Sequence, residues 1–262
     1  MQNIFLQPSM FKRIIISSAI LFLITAGTFG ISTAEQPQPE RIKILFGYRF
    51  PPFYTVTSKR KPSESLQGVF INILEKFQKS HPEYILEFKC LPRARISKVL
   101  KEGRADAFAL SSPMFSEQEI NERLIPSVPL WTLFDHLLIR KDSTINSGKP
   151  EDLLGKKIAV LHGNGYGPFD KYFENGLLEK HAVYSTTQLL EMVHKKRVDG
   201  AICNKTTLPE LLARAGLPMS EFKTIEEPLY SYNLHLMVNR SRTDFLLDFN
   251  EFIKNEHLPE MK

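Results

Sequence analysis

The chain has 262 residues and a formal net charge of +5, which is mild for its length. Basic and acidic residues are interleaved instead of forming blocks, and this distribution argues against a nucleic-acid-binding surface. Beyond the N-terminal region, no stretch is apolar enough to span a bilayer. The two cysteines, Cys90 and Cys203, end apolar strand-like runs far apart in sequence. We interpret them as buried free thiols in preference to a disulfide.

The N-terminal segment has the pattern of an export signal. Lys12 and Arg13 precede an apolar run from Ile14 to Ile24, and small residues follow as far as Ala34. A basic start, a short apolar core and a small-residue cleavage site are typical of a cleaved signal peptide. The alternative is an uncleaved anchor, but a bilayer crossing needs about 20 apolar residues. We therefore predict that residues 1–34 are a signal peptide and that the mature chain is periplasmic.

The first half of the mature chain alternates short apolar strands with amphipathic helices. Strands are predicted at residues 41–47, 84–91 and 105–110, and helices at residues 69–79 and 95–102. This alternation is typical of an α/β fold with a parallel sheet.

The second half repeats the same rhythm and ends in a further strand and helix. The predicted strands are 157–161, 182–184, 200–203 and 232–238, and the predicted helices are one that opens at Gly163 and runs toward Asn175, 185–195 and 243–253. The final helix carries an apolar stripe that must be buried against another element.

Two segments of the chain echo each other. Residues 99–109 and residues 192–202 each contain a helix end, a basic turn, an aspartate and a strand of small apolar residues. Such junctions also arise by chance in α/β folds. Because these two occupy equivalent places in consecutive βαβ units, we interpret them as parts of two similar lobes.

Short motifs along the mature chain resemble those of one known family. They are I-L-F-G-Y-R-F-P-P-F-Y at 44–54, G-V-F-I-N-I-L at 68–74, L-x-x-G-x-x-D at 100–106, D-L-L-G-K-K-I-A-V at 152–160, G-N-G-Y at 163–166 and V-D-G-A-I at 198–202. Each motif is weak alone, but their number and order are specific. The chain resembles the extracellular solute-binding proteins of family 3, the polar amino acid type that serves ABC importers.

The resemblance implies the periplasmic binding protein type II fold, in which two Rossmann-like α/β lobes are joined by two crossing strands. It divides the mature chain into a first lobe at residues 35–130, a second lobe at residues 131–231 and a return to the first lobe at residues 232–262. The hinges would fall near residues 129–134 and 228–232. Hinge motion would then close the lobes around a ligand.

Ligands of open α/β sheets bind beyond the carboxyl ends of the strands. This rule selects candidate ligand-binding residues: Tyr48, Phe50, Ser111, Ser112, Gly163, Asn164, Gly165, Tyr166 and Asn204. A helix that opens at the glycines offers backbone N–H groups to an anion, although an ordinary loop is the alternative. By the resemblance, Phe50 lies where relatives pack an aromatic ring on the ligand, and the alternative is a core aromatic.

The turn before the second predicted helix carries two arginines. Arg93 falls where many relatives place an aromatic residue that faces the cleft, and Arg95 matches a Pro-x-x-Arg pattern of a subgroup. A guanidinium in a cleft offers a planar fork to a carboxylate or phosphate. The alternative is a solvated arginine at a helix start. We include both Arg93 and Arg95 among the ligand-binding candidates.

Departures from the family pattern indicate the charge of the ligand. Residues 115–119 lack the arginine that binds the α-carboxylate in amino-acid binders of the family, and Asn204 stands where they have an aspartate for the α-amine. An amide binds an ammonium group much less strongly than a carboxylate does. We therefore expect an anionic or neutral ligand instead of a standard zwitterionic amino acid.

The sequence therefore predicts a binding protein with no catalytic residues, no metal and no cofactor. The resemblance implies a monomer that would deliver a small ligand, an amino acid derivative or an organic acid, to an ABC permease. Catalysis needs an acid–base pair within reach of the substrate, and no such motif is visible. Alternatives are a sensory binding protein, a homologue that has lost ligand binding and, more remotely, a dehydratase-like enzyme on the same fold.

Overall fold

The structure is a computed structural model that describes residues 38–260, so the predicted signal peptide at residues 1–34 lies outside the described residues. The strands within this range are β1 Glu40–Phe46, β2 Arg49–Phe50, β3 Tyr54–Val56, β4 Leu66–Gln67, β5 Tyr84–Cys90, β6 Ala107–Ser111, β7 Leu124–Pro126, β8 Trp131–Arg140, β9 Lys157–Leu161, β10 Glu179–Val183, β11 Gly200–Asn204, β12 Phe222–Thr224 and β13 Tyr230–Asn239. The α-helices are α1 Val69–Ser80, α2 Arg93–Lys101, α3 Gln118–Arg123, α4 Asp170–Glu174, α5 Thr186–His194, α6 Leu208–Ala215 and α7 Thr243–Asn255.

The main sheet is mixed, with the strand order β10-β9-β11-β8-β13-β6-β1-β5. Strand β1 pairs in parallel with β5 and β6, and β9 pairs in parallel with β10 and β11. Two ten-residue strands, β8 and β13, pair antiparallel with each other and connect the two parallel groups. This is the α/β architecture with two crossing strands that the sequence predicts.

The two long strands each contribute to separate cores in the two halves of the sheet. In β8, Leu133 packs in the core that contains β1, α1 and α7, whereas Leu137 packs in the core that contains β9 and α4. In β13, Tyr230 belongs to the core of β9 and Leu234 to the core of β1. Each strand therefore passes from one core to the other within a few residues, in or directly beside the segments predicted as hinges.

The internal echo in the sequence corresponds to the same local structure in both halves. The Asp106 carboxylate accepts the backbone N–H of Lys43 at 2.9 Å, and the Asp199 carboxylate accepts that of Lys157 at 2.8 Å. Each aspartate also donates its own backbone N–H to the carbonyl of the same lysine. Because β1 and β9 are the first parallel strands of the two halves, the aspartates fix equivalent strands.

The helix ends that precede these aspartates are also equivalent. Gly103 has a φ of 66°, and Lys196, at the matching position, has a φ of 56°. The next residues, Arg104 and Arg197, each donate a backbone N–H to the carbonyl five residues earlier. This bond is the signature of a Schellman cap, in which one residue adopts a left-handed backbone. The repeat is thus preserved even where lysine replaces glycine.

Several predicted elements differ from the structure at their boundaries. Helix α2 begins at Arg93 instead of residue 95, and β10 begins three residues earlier and ends one residue earlier than predicted. The helix predicted to open at Gly163 is replaced by a turn, a 3-10 turn at Gly167–Phe169 and the short helix α4. Gly163 and Gly167 have φ values of 82° and 55°, and such left-handed residues interrupt a helix.

Cys90 and Cys203 are both free, as interpreted from the sequence, but only Cys90 is buried, whereas Cys203 is partly exposed. Burial raises the pKa of the Cys90 thiol to about 11. Within residues 38–260, no helix combines the length and apolar character that a membrane crossing requires.

Candidate ligand-binding site

A cavity of about 900 Å³ lies between the two cores. Its walls include residues that follow β1 and β9 and residues at the carboxyl ends of β6 and β11, which are parallel strands of the two halves. This is the position that the strand-end rule selects for a ligand. The volume lies within the usual range of small-molecule sites, which is about 300–1,000 Å³.

The structure brings most of the predicted site residues to this cavity. Eight of the candidates line it: Tyr48, Phe50, Arg93, Ser111, Asn164, Gly165, Tyr166 and Asn204. Three candidates, Arg95, Ser112 and Gly163, are not part of its wall. Ser112 is buried and accepts the backbone N–H of Phe115 through its carbonyl group.

Helix periodicity explains why the two arginines of residues 91–95, here named the arginine turn, point in different directions. Arg93 shares one face of α2 with the buried residues Ile96 and Leu100, which are three and seven positions later. Arg95 is exposed, as is Lys98 three positions later on the same opposite face. The buried face of α2 therefore carries Arg93 inward.

The guanidinium of Arg93 has no counter-ion within residues 38–260. Its Cζ atom lies 4.6 Å from the centroid of the Phe108 ring, and its buried Nε has no hydrogen-bond partner among these residues. Burial lowers the pKa of Arg93, and the phenols of Tyr54 and Tyr166 lie near it. An arginine keeps its charge even so, because its ordinary pKa is above about 12. A positive charge without a partner therefore stands at the cavity wall.

A buried carboxylate that the sequence did not single out also lines the cavity. Asp135 lies on β8 and accepts hydrogen bonds from the Tyr230 hydroxyl at 3.0 Å, the Tyr232 hydroxyl at 3.1 Å and the Asn204 amide at 3.4 Å. Burial raises the pKa of Asp135, and these donors oppose the rise. Three neutral hydrogen-bond donors therefore partly offset the cost of burying the charge of Asp135.

The sheet register explains the position of Asp135. Asn204 on β11 is paired directly with Asp135 on the neighbouring antiparallel strand β8. Asn204 stands where the family resemblance implies an aspartate. A carboxylate, that of Asp135, lies instead on the neighbouring strand β8. The cavity thus contains a negative charge that inspection of position 204 alone does not reveal.

The glycines of residues 161–166, here named the glycine turn, allow close contact with the opposite wall. A Cβ atom on Gly163 would lie 3.0 Å from the backbone nitrogen of Ala94, and one on Gly165 would lie 2.7 Å from the carbonyl oxygen of Phe115. Both neighbours belong to the first half of the chain. The glycines therefore let the two halves touch beside the cavity.

The backbone of the glycine turn is already partly satisfied from within. The Tyr166 N–H donates to the Asp170 carboxylate at 2.7 Å, and the Tyr166 hydroxyl accepts the Leu161 N–H at 2.6 Å. Helix α4 spans only Asp170–Glu174 and has an acid at its first position. This arrangement differs from the anion-binding helix start that the sequence predicts, because an internal carboxylate accepts one of the N–H groups.

Two further features shape the part of the cavity wall that belongs to the first half of the chain. Phe50 is partly buried and lies 5.0 Å from the ring of Phe53, so it contributes to the cavity wall while it packs on the core. Leu110 has a φ of 51°, which is unusual for a residue with a branched side chain. The following residue, Ser111, is buried and lines the cavity.

The charges at the cavity are unequal in number. Among the described residues that line it, Arg49, Lys59, Arg93 and Arg214 are basic, whereas Asp135 is the sole carboxylate. Excess positive charge on a partly apolar wall favours ligands that carry an anionic group.

Comparison with solved structures identifies the fold as that of the type II periplasmic binding proteins. Holo ArgBP from T. maritima matches with a TM-score of 0.64 and 18% identity, over 82% of this chain and 89% of that chain. A structure concerned with glutathione import through GshT and the cystine ABC importer TcyBC of Streptococcus mutans matches with a TM-score of 0.66 and 18% identity, over 83% and 89% of the two chains.

A histidine kinase sensor domain with similarity to periplasmic binding proteins matches equally well, with a TM-score of 0.67, 14% identity and coverage of 83% and 90%. Neither a family model nor a curated protein matches the sequence. At these identities the comparisons define the fold, and the residues of the cavity must carry the argument about function.

Proposed function

We propose that this protein is an exported solute-binding protein of family 3, which captures a small polar, anionic ligand between two hinged lobes and delivers it to an ABC importer. Binding, and no catalysis, is the proposed activity. The lobes correspond to residues 35–130 with 232–262 and to residues 131–231. The hinges lie near residues 129–134 and 228–232, which include the first residues of β8 and of β13.

The observation that carries this proposal is the guanidinium of Arg93, which lines a cavity of about 900 Å³ and pairs with no acid of the described residues. A charged group without a partner is costly to bury. An anionic ligand in the cavity would supply the missing partner with charge-assisted hydrogen bonds. Structures with the same fold include components of amino acid importers, which supports a transport role.

The environment of Asp135 supports an anionic ligand over a zwitterion. Its carboxylate already accepts hydrogen bonds from Tyr230, Tyr232 and Asn204, and burial favours its protonated form by raising its pKa. It therefore offers less to a ligand ammonium than an acid without internal donors does. Arg93, in contrast, has no hydrogen-bond partner at Nε among the described residues.

A thermal-shift screen of purified mature protein tests the proposal. The panel contains small organic acids, standard amino acids and phosphorylated metabolites, since a ligand that binds only the native state raises the melting temperature. We expect anionic compounds to raise it and lysine or arginine to leave it unchanged. Stabilisation by basic amino acids alone would contradict the proposed ligand class.

Ligand sensing is the second candidate function, favoured by the match to the histidine kinase sensor domain. Transport and sensing use the same cavity, so the partner distinguishes them. Uptake of the screened ligand should be lost when the gene is deleted if the protein serves an importer. Unchanged uptake with a lost transcriptional response would favour sensing.

A further inference from the structure

Helix α6 forms a continuous wall along the cavity. Leu208, Leu211 and Arg214 all line it, and their spacing of three residues places them on one helical face. An α-helix rises about 1.5 Å per residue, so Arg214 lies about 9 Å further along the axis than Leu208. The wall therefore begins apolar and ends in a guanidinium.

The start of α6 lies at the Arg93 end of the cavity. Asn204 is hydrogen-bonded to Asp135, and its carbonyl accepts the hydroxyl of Thr207, the residue that precedes the helix. Arg93, Tyr166 and Asp135 line the same cavity, and the phenol of Tyr166 lies near both of the other side chains. The Arg93 guanidinium and the first turn of α6 thus lie at the same end of the cavity.

Arg49 faces the other end of the same helix. It lines the cavity from β2, as Arg214 does from α6. Burial and the nearby guanidinium of Arg214 lower the pKa of Arg49, and the carboxylate of Glu210 opposes this change. In the β2–β3 hairpin, Arg49 is paired with Thr55, whereas Tyr54 is paired with Phe50. Since adjacent strand residues point to opposite faces, Arg49 points away from Tyr54, whose phenol lies near Arg93.

Two guanidiniums therefore lie near each other at the second end, and neither has an ion-pair partner in the described part of the chain. Neither Arg49 nor Arg214 takes part in a salt bridge within residues 38–260. Glu210, one helical turn before Arg214, is not part of the cavity wall. Arg49 comes from the half of the chain that contains β1 and Arg214 from the half that contains β9, so a group held by both would bridge the two halves.

We infer that the ligand is an elongated molecule with an anionic group at each end and an apolar middle, which binds Arg93 at one end, Leu208 and Leu211 along its length, and Arg49 with Arg214 at the other. This inference rests on the proposed function and narrows its ligand class. The second anionic group neutralises the repulsion between the two guanidiniums and favours the closed arrangement of the halves.

Calorimetric titration with matched aliphatic acids tests the inference. The probes are suberate, whose carboxylates match the separation along α6 when its chain is extended, the shorter succinate, and octanoate, which has the length of suberate but one carboxylate. We expect suberate to bind about 10-fold more tightly than octanoate at low ionic strength and more tightly than succinate, because only suberate can place a second carboxylate at Arg49 and Arg214.

The variants Arg214→Gln and Arg49→Gln should each remove most of the preference for suberate over octanoate, because they remove a charge that only the second carboxylate of suberate requires. Arg197→Gln, which removes an exposed charge away from the cavity, is the matched control and should retain the preference. Equal binding of suberate and octanoate, or an equal loss for both in Arg214→Gln, would overturn the two-anion ligand while an anion-binding function stands. Failure of every dicarboxylate to bind would also overturn it, whereas the broader metabolite screen decides the proposed function separately.

Discussion

The arginine turn and the glycine turn touch each other beside the cavity, and the sequence suggested each as an anion site. In the arginine turn, Arg93 presents a guanidinium that has no acid partner within the described part of the chain. In the glycine turn, the Tyr166 N–H is satisfied by Asp170, and Gly165 allows contact with Phe115. The arginine turn therefore supplies a charge to the cavity, whereas the glycine turn allows the two halves to pack closely.

The largest expected effect follows from removal of the charge in the arginine turn. Arg93→Gln should weaken binding of the ligand found in the metabolite screen by at least about 30-fold, because loss of one member of a buried charge pair costs about 2–5 kcal/mol. Isothermal titration calorimetry measures the change. A loss of less than threefold would show that Arg93 is not the counter-ion.

A smaller effect is expected from the glycine turn. Gly165→Ala places a Cβ atom 2.7 Å from the carbonyl oxygen of Phe115. Overpacking of this kind costs about 1–3 kcal/mol, so the closed form should be penalised and affinity should fall about 10-fold. Unchanged affinity would show that the two turns need not touch when the ligand is bound.

Gly155→Ala is the matched control for this substitution. Gly155 has a φ of 71°, but no atom would lie within 4 Å of an added Cβ. Its replacement should lower the melting temperature through backbone strain and leave the affinity unchanged. If both alanine variants lose affinity equally, the effect reflects general destabilisation and not lobe contact.

A substitution at Asp135 distinguishes an anionic ligand from a zwitterionic one. Asp135→Asn should leave affinity for an anionic ligand within about threefold, whereas a ligand held through an ammonium group would lose about 30-fold or more. Calorimetry on the same ligand as above measures the difference. The larger loss would contradict the assignment of an anionic ligand.

The same variant has a predicted dependence of stability on pH. Burial raises the pKa of Asp135. The contribution of this carboxyl to the stability of the fold is therefore fully present below the ordinary carboxyl pKa, and it is lost as the pH rises through the raised pKa. The melting temperature of Asp135→Asn should therefore exceed that of the wild type at neutral pH, and the gap should shrink at acidic pH. A gap that widens on acidification would contradict the direction of the shift.

The smallest effect is expected at the second arginine of the arginine turn. Arg95 is exposed and outside the cavity wall, so Arg95→Gln should change affinity by less than about twofold, as is usual for exposed charges. It carries the same charge change as Arg93→Gln two residues away. Similar losses in both variants would show that net charge, and not the position of Arg93, determines binding.

Local patterns account for much of the fold and for part of the site. Hydrophobic periodicity predicts the main strands and helices, and the echo between residues 99–109 and 192–202 predicts the equivalent roles of Asp106 and Asp199. The inward direction of Arg93 is also readable, because Ile96 and Leu100 lie on its face of α2.

Other features depend on contacts that are distant in sequence. Asp135 lies at the cavity because β8 pairs with β11 in a register that places Asp135 directly opposite Asn204. These two residues are 69 positions apart in sequence, and local periodicity does not reveal the register between such distant strands. The role of Gly165 depends on the approach of Phe115 from the other half. Long-range packing, and not local propensity, determines both.

A crystal structure of the mature protein with the highest-affinity compound of the metabolite screen would show directly which group neutralises Arg93. We expect an anionic group of the ligand within hydrogen-bond distance of the Arg93 guanidinium, in the cavity between the cores of β1 and β9. A ligand bound elsewhere, or one whose cationic group is held by Asp135 while Arg93 remains without a partner, would contradict it.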